Sequence, residues 1–295
     1  MGDTPAAAAP GFHLNCARAL FDGAAYAEMV ALLERARRSV RMEMFLFGGP
    51  HADRMIDLLA LKRDAGLDVR VTLDRAMGVL PVVRWECRAA YRRLRELGID
   101  AVLSDRRPLP DSPRRAPVAH NKFLVADEGE ALVGGMNVGS LFFRHHDVMI
   151  HLTGSTAGLL AAQFDHDRRF ALSPEAPRPL CDAGADLAPF DEIVPPPSSC
   201  QSGVRLLGTG VGRRTTGRAL LHNLRAVRSS LRVAMCEMGD TALLDEVIAA
   251  HRRGADVRVL LDPMLVEEYL PPWLGPLRRL PPTGVLNAGA VARLL

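Results

Sequence analysis

The feature that most restricts how this chain can fold is the return of its first half in its second. LERARRSVRMEMFLF, starting at Leu33, comes back as LRAVRSSLRVAMCEM from Leu224, and GLDVRVTLD from Gly66 comes back as GADVRVLLD from Gly254. Gly66 and Gly254 lie 188 residues apart, Ser39 and Ser230 191, and Gly98 and Gly284 186. A spacing held so nearly constant means two related units in tandem. The length of 295 residues gives each unit enough chain to bury a core of its own.

Within the first copy the hydrophobic period alternates between that of a helix and that of a strand. Tyr26, Met29, Val30 and Leu33 fall on one helical face, and Asp22 stands where a capping residue is expected. In VRMEMFLF, Val40, Met42, Met44 and Leu46 alternate with Arg41, Glu43, Phe45 and Phe47, the two-residue repeat of a strand. A helix from Ala52 to Arg63, a stop at Gly66 and a strand from Asp68 to Asp74 complete a β-α-β unit, and a further helix runs from Val83 to Leu97. The predicted organisation is a flexible tail over 1–11, a first unit over 12–170, a Pro-rich linker over 171–203 and a second unit over 204–295.

Composition excludes several classes. Hydrophobic residues make up 48% and charged residues 24%, which is ordinary globular material, and no apolar run approaches the roughly 20 residues that span a bilayer. The N-terminus has neither the basic nor the apolar segment of a signal peptide, so a cytoplasmic protein is expected. A net charge of +3 does not by itself call for nucleic acid or an anionic membrane. Five scattered cysteines without C-x-x-C spacing read as reduced thiols, with no disulfide framework and no metal site. Of 37 basic residues only Lys62 and Lys122 are lysines, so each invites a reason.

One of those lysines lies in AHNKFLVADEGEALVGGMNVG. On a strand from Ala119 to Ala126, His120 and Lys122 project to one face while Asn121, Phe123 and Val125 project to the other. An ammonium beside an imidazole suits an anion: the first holds a phosphate oxygen, and the second serves as nucleophile or proton carrier. A lone His-x-Lys on a strand is otherwise ordinary surface decoration.

His120, Lys122 and Asp127 spell H-x-K-x4-D, followed by Gly134, Gly135 and Asn137, and this resembles the phospholipase D superfamily. The G-G-x-N form and the wording FLFGGP and VRVLLDP look most like the bacterial cardiolipin synthases within it. The resemblance implies an α/β fold, a tandem repeat of phospholipase D-like α/β sandwich units with mixed sheets, the second unit incomplete. It implies that His120 is the nucleophile of a metal-independent phosphodiesterase or phosphatidyltransferase, acting on glycerophospholipids through a phosphohistidine without any cofactor. Lys122 and Asn137 match the phosphate ligands, and Asp147 the carboxylate that orients the imidazole. Asp127 is assigned to fixing the turn after the strand. Glu43 either supports the site from beneath or faces solvent at an edge. His145 and His146 read as exposed loop residues, Arg106 to Arg115 as a basic loop that gathers phosphates or is simply solvated, and GTGVG at 208–212 lacks dinucleotide-binding spacing.

Members of that family bring two such motifs together, and this chain has one. The repeat spacing would place a second histidine at about 306 to 308, past Leu295. Truncation is the favoured explanation. The others are a homodimer in which two first units share a site, and a weakly active or non-catalytic phosphate-binding paralogue. A phospholipid substrate with peripheral contact at the inner face of a membrane is expected. A nuclease with the same chemistry is the alternative, disfavoured by an aromatic content of only 5% and near-neutral charge.

Overall fold

The structure, a computed structural model, describes residues 13–77, 80–104, 119–141, 143, 145–172, 202–210, 213–236, 238–261, 290, 293 and 294. The predicted tail, the basic loop at 106–115 and most of the Pro-rich stretch lie outside the described residues. The chain divides into two compact units, Met1–Arg213 and Arg214–Leu295.

The first unit is built on an eight-stranded mixed sheet. Its strands are β1 (His13–Phe21), β2 (Ser39–Met44), β3 (Asp68–Leu73), β4 (Asp100–Leu103), β5 (Lys122–Ala126), β6 (Glu130–Gly134), β7 (Val148–Gly154) and β8 (Ser202–Val204), in the order β4-β3-β2-β5-β6-β7-β1-β8. β2, β3 and β4 are parallel, each reached through a helix, while every later neighbour is antiparallel. Helices α1 (Asp22–Arg35), α2 (Gly49–Asp64) and α3 (Pro81–Glu96) share a core with Val40, Met42, Met44 and Leu124, whereas α4 (Ser155–Leu172) packs its Leu160 and Phe164 against Phe123, Val125 and Leu152. The alternation along β5 thus sends neighbouring side chains into two cores, one on each face of the sheet.

Several expectations are met and several are corrected. Tyr26, Met29, Val30 and Leu33 are buried on α1. Asp22 does not cap that helix: Phe21 occupies the cap position, and Asp22 takes φ +50° and turns its carboxylate towards residues 146 and 147. β2 is not an edge strand, because β5 inserts beside it, and Glu43 is 1% exposed. β5 starts at Lys122, so His120 and Asn121 lie just ahead of the strand. β1 and α4 had no clear sequence signal. β8 pairs with β1, which carries the first sheet into residues 202–204.

The second unit contains α5 (Thr215–Ala226), a strand Ser230–Met235, α6 (Thr241–Arg252) and a strand Asp256–Leu261 parallel to the first. Asp240 caps α6 by accepting from Ala242 N at 2.9 Å and Leu243 N at 3.1 Å. Among the described residues, no helix is long and apolar enough to cross a membrane.

Candidate active site

The site forms where the parallel strands end. Met44, last in β2, pairs with Lys122, first in β5, and with Leu73, last in β3. His120 therefore lies at the C-terminal edge of the parallel strands, where ligands bind in open α/β sheets. The chain entering β5 is pinned there by Asp74, whose Oδ2 accepts from Ala119 N at 2.8 Å and from Ser104 Oγ at 3.2 Å, while its Oδ1 accepts from Ala76 N at 2.7 Å. Sequence reasoning missed this residue; its signal was a carboxylate closing the strand DVRVTLD.

His120 and Lys122 come together as the spacing predicted. Lys122 Nζ lies 3.2 Å from His120 Nδ1 and donates to the His120 carbonyl at 2.8 Å. Phe45 covers both, its ring centroid 4.3 Å from that of His120 and 4.9 Å from Lys122 Nζ. Burial against this ring, with the Lys122 charge beside it, holds the imidazole below its ordinary value. Burial likewise pulls the Lys122 amine down to about 8, although Asp147 and Asp74 work the other way. A neutral imidazole and an ammonium near the limit of its charged range form a pair that an incoming phosphate would complete.

Asn137 lies in the segment after β6, with its Oδ1 accepting from Leu46 N at 3.3 Å. The backbone is stitched alongside it, Val138 N donating to Leu46 O and Gly48 N to Val138 O. With Oδ1 so engaged, the amide keeps its Nδ2 donors for another acceptor. The glycines before it are required sterically: a Cβ on Gly134 would collide with the Val148 carbonyl, and one on Gly135 with the Asp147 carboxylate.

Asp147 feels the charge of Lys122, and each favours the charged form of the other. Burial raises its pKa, while the Val148 N–H bond at 2.9 Å and the Lys122 charge oppose that. No hydrogen bond joins it to His120, whose ring contacts Lys122 and Phe45. Asp147 is itself held by Asp22, which accepts its N–H at 2.8 Å and takes His146 Nδ1 at 2.9 Å. The left-handed Asp22 thereby replaces a helix cap with a tether on the site.

Asp127 lies at the far end of β5 from His120. It takes φ +55° in the β5–β6 turn, and its carboxylate accepts from Arg37 N at 2.9 Å, Arg38 N at 2.7 Å and Ser39 N at 2.9 Å. Burial tends to raise its pKa, but these three donors hold it below the usual carboxylate range.

Glu43 reaches the site through Asn121, whose Nδ2 donates to Glu43 Oε1 at 3.0 Å. Burial, with repulsion from Asp167, pushes its carboxyl up to about 8. A second acidic cluster, Glu28, Glu130 and His151, has metal-ligand geometry, but Arg35 already occupies it, donating to Glu28 at 2.6 Å and to both Glu130 oxygens.

Residues 29–168 match the family described as "Cardiolipin synthase, PLD-like domain". No match to a curated protein reaches significance. Phosphatidylserine synthase of Haemophilus influenzae is similar in structure at a TM-score of 0.60 and 15% identity, covering 96% of this chain and 70% of that one. Polyphosphate kinase of Porphyromonas gingivalis aligns at a TM-score of 0.52 and 14% identity, over 83% of this chain and 37% of the kinase. Nuc of Salmonella typhimurium, a phospholipase D family member, aligns at a TM-score of 0.44 and 15% identity, over 52% of this chain and 95% of its own. The matched segment and the mixed α/β sheet that it builds make residues 29–168 a domain of the phospholipase D superfamily.

Proposed function

We propose that the first unit is a metal-independent phosphodiesterase or phosphatidyltransferase acting on glycerophospholipids through a phosphohistidine on His120. The observation that carries this reading is the His120–Lys122 pair, a neutral imidazole within 3.2 Å of a buried ammonium at the open end of a mixed sheet. A phosphodiester seated there places non-bridging oxygens against Lys122 Nζ and Asn137 Nδ2, which stabilise the charge that builds in the pentacoordinate transition state. An imidazole nitrogen lone pair forms a bond to phosphorus as the P–O bond to the departing alcohol breaks; the leaving oxygen takes a proton from water. Water or an acceptor alcohol then attacks phosphorus, loses its proton to solvent and returns the imidazole.

Asp147 acts in this reading by holding Lys122 charged. The tandem repeat belongs to the same proposal. It is supported by an Arg–Asp clamp found in both units: Arg41 Nη1 donates to Asp68 O at 2.9 Å, and Arg232 Nη1 donates to Asp256 O at 2.6 Å, each with a side-chain ion pair besides.

The test is to incubate the protein with phosphatidylglycerol, phosphatidylcholine or single-stranded DNA, each with and without EDTA. Headgroup release or exchange that survives EDTA and disappears in His120→Asn is expected. DNA cleavage without lipid turnover would replace the lipid substrate by nucleic acid, and turnover surviving in His120→Asn would overturn the nucleophile.

A further inference from the structure

Beside the His120 site, at the same end of the sheet, α3 and the ends of β3 and β4 enclose a cleft of about 560 Å³ that the chemistry above does not use. Its floor is apolar, with Met77 buried and Leu103 half-buried. Its rim carries three guanidinium groups, Arg75, Arg88 and Arg92, and among the described residues no carboxylate lines it. Of the other arginines of α3, Arg93 pairs with Asp53 and Asp57, and Arg95 donates to Ala101 O. Among the described residues Arg88 and Arg92 form no ion pair, and the Arg75 guanidinium donates to the Ser104 carbonyl through Nε at 3.1 Å.

Two large apolar side chains stand out next to these charges. Trp85 is 67% exposed and Val82 51%, both on the first two turns of α3. The sequence places Trp85, Arg88 and Arg92 at helical spacing on one face, so an indole and two guanidiniums emerge together. Exposed Trp beside Arg is the composition of a membrane–water interface, where the ring sits at headgroup depth and the cations attract anionic lipid. The connection to the catalytic end is short. Arg75 follows Asp74, which holds Ala119, and Ala119 precedes His120.

We propose that this cleft and the exposed start of α3 form a docking face for an anionic phospholipid surface, a headgroup phosphate entering among Arg75, Arg88 and Arg92 while Trp85 and Val82 rest at the acyl boundary. Single-stranded nucleic acid would also meet the charges, but it requires successive stacking rings, and an aliphatic Val82 beside one exposed indole offers hydrocarbon contact instead. The proposal rests on the phospholipid reading of the His120 site, and deepens it by naming the surface that presents that site to its substrate.

The chain has two tryptophans, so a Trp273→Phe background leaves Trp85 as the sole indole reporter. Its emission is expected to shift to the blue on vesicles containing phosphatidylglycerol, and not on pure phosphatidylcholine or with inorganic phosphate. Arg88→Gln with Arg92→Gln should weaken partition to the anionic vesicles about 25-fold, about fivefold for each charge removed. Arg88→Lys with Arg92→Lys should retain it, which separates charge from misfolding. Hydrolysis of a small soluble phosphodiester should be unchanged in both variants. Equal partition of the Gln variant and the wild type, or an emission shift with a single-stranded oligonucleotide and none with vesicles, would overturn the docking face. A protein that partitions as described yet turns over no diester would retain the docking face and lose the catalytic reading, so the two failures are distinct.

Discussion

β2 with β3 in the first unit and the strand pair Ser230–Met235 with Asp256–Leu261 in the second share a parallel register, flanking helices and an Arg–Asp clamp at the same place, yet they differ in what surrounds them. β2 is buried along almost its whole length, whereas its counterpart alternates exposed and half-buried residues. The clamp arginine is 8% exposed in the first unit and 51% in the second. Register, therefore, is written locally, by a cross-strand ion pair and by the helix between the strands. Burial is conferred by non-local neighbours: β5 alongside β2, and α4 across the sheet. The first unit's buried strand carries Glu43 where the second unit's strand, aligned by its clamp arginine, carries Ala234, so the buried carboxylate stands where the sheet is covered on both faces.

The largest effect should fall on activity. His120→Asn is expected to lower phosphodiester turnover by at least about 10³-fold, while His222→Asn and His251→Asn in the second unit leave it within twofold. Comparable losses from either second-unit substitution would mean that the two units share the chemistry.

Stability should separate the units next. Removing Arg41 takes a buried guanidinium out of the closed sheet and leaves the Val40 and Asp68 carbonyls without this donor, which should cost about 2 kcal/mol in a denaturant titration. Arg232→Ala, at an exposed pair, should leave the denaturation midpoint unchanged. Similar losses in both would show that the second strand pair is covered as well as the first.

Glu43 gives a finer comparison. Its folded pKa of about 8 lies above the unfolded value, so the unfolded chain ionises first and stability is lost as pH rises from about 4.5 to 8. Glu43→Gln keeps an acceptor for Asn121 and should gain on the order of 3 kcal/mol over the wild type near pH 8, with no difference near pH 4. Glu43→Ala, which imports the residue of the second unit, loses that acceptor and should lower kcat about tenfold.

The smallest effect is a pH dependence. Below its ordinary value of about 6.5, His120 protonates and kcat/KM falls; above about 8, Lys122 loses its charge and kcat/KM falls again. Lys122→Arg should remove the alkaline limb while retaining a reduced rate.

What was legible in the sequence was whatever depends on near neighbours. Alternation placed β2 and β3, the helical period placed α1, and the spacing of His120 and Lys122 put them together. The position of β2 in the sheet depends on a strand some 80 residues later, so Glu43 could be read equally as a support or as solvent-facing. Asp22 has the composition of a cap, but its use is decided by Asp147, 125 residues away in sequence. Asp147 is matched to the imidazole by resemblance alone, whereas the place of its carboxylate depends on Gly135, where a Cβ would collide with it.

Asp127 has a consequence that belongs to the order of folding. Its carboxylate gathers the N–H groups of residues 37 to 39 across 90 positions of chain, so it cannot engage until β5 has paired with β2. Contacts of such long range are costly in loop entropy and form late. The residue then acts as a latch on a completed sheet: Asp127→Ala should leave the refolding rate nearly unaltered and hasten unfolding about tenfold in stopped-flow measurements. On that view the third letter of H-x-K-x4-D governs how long the assembled site lasts, while the proposed chemistry falls to His120 and Lys122.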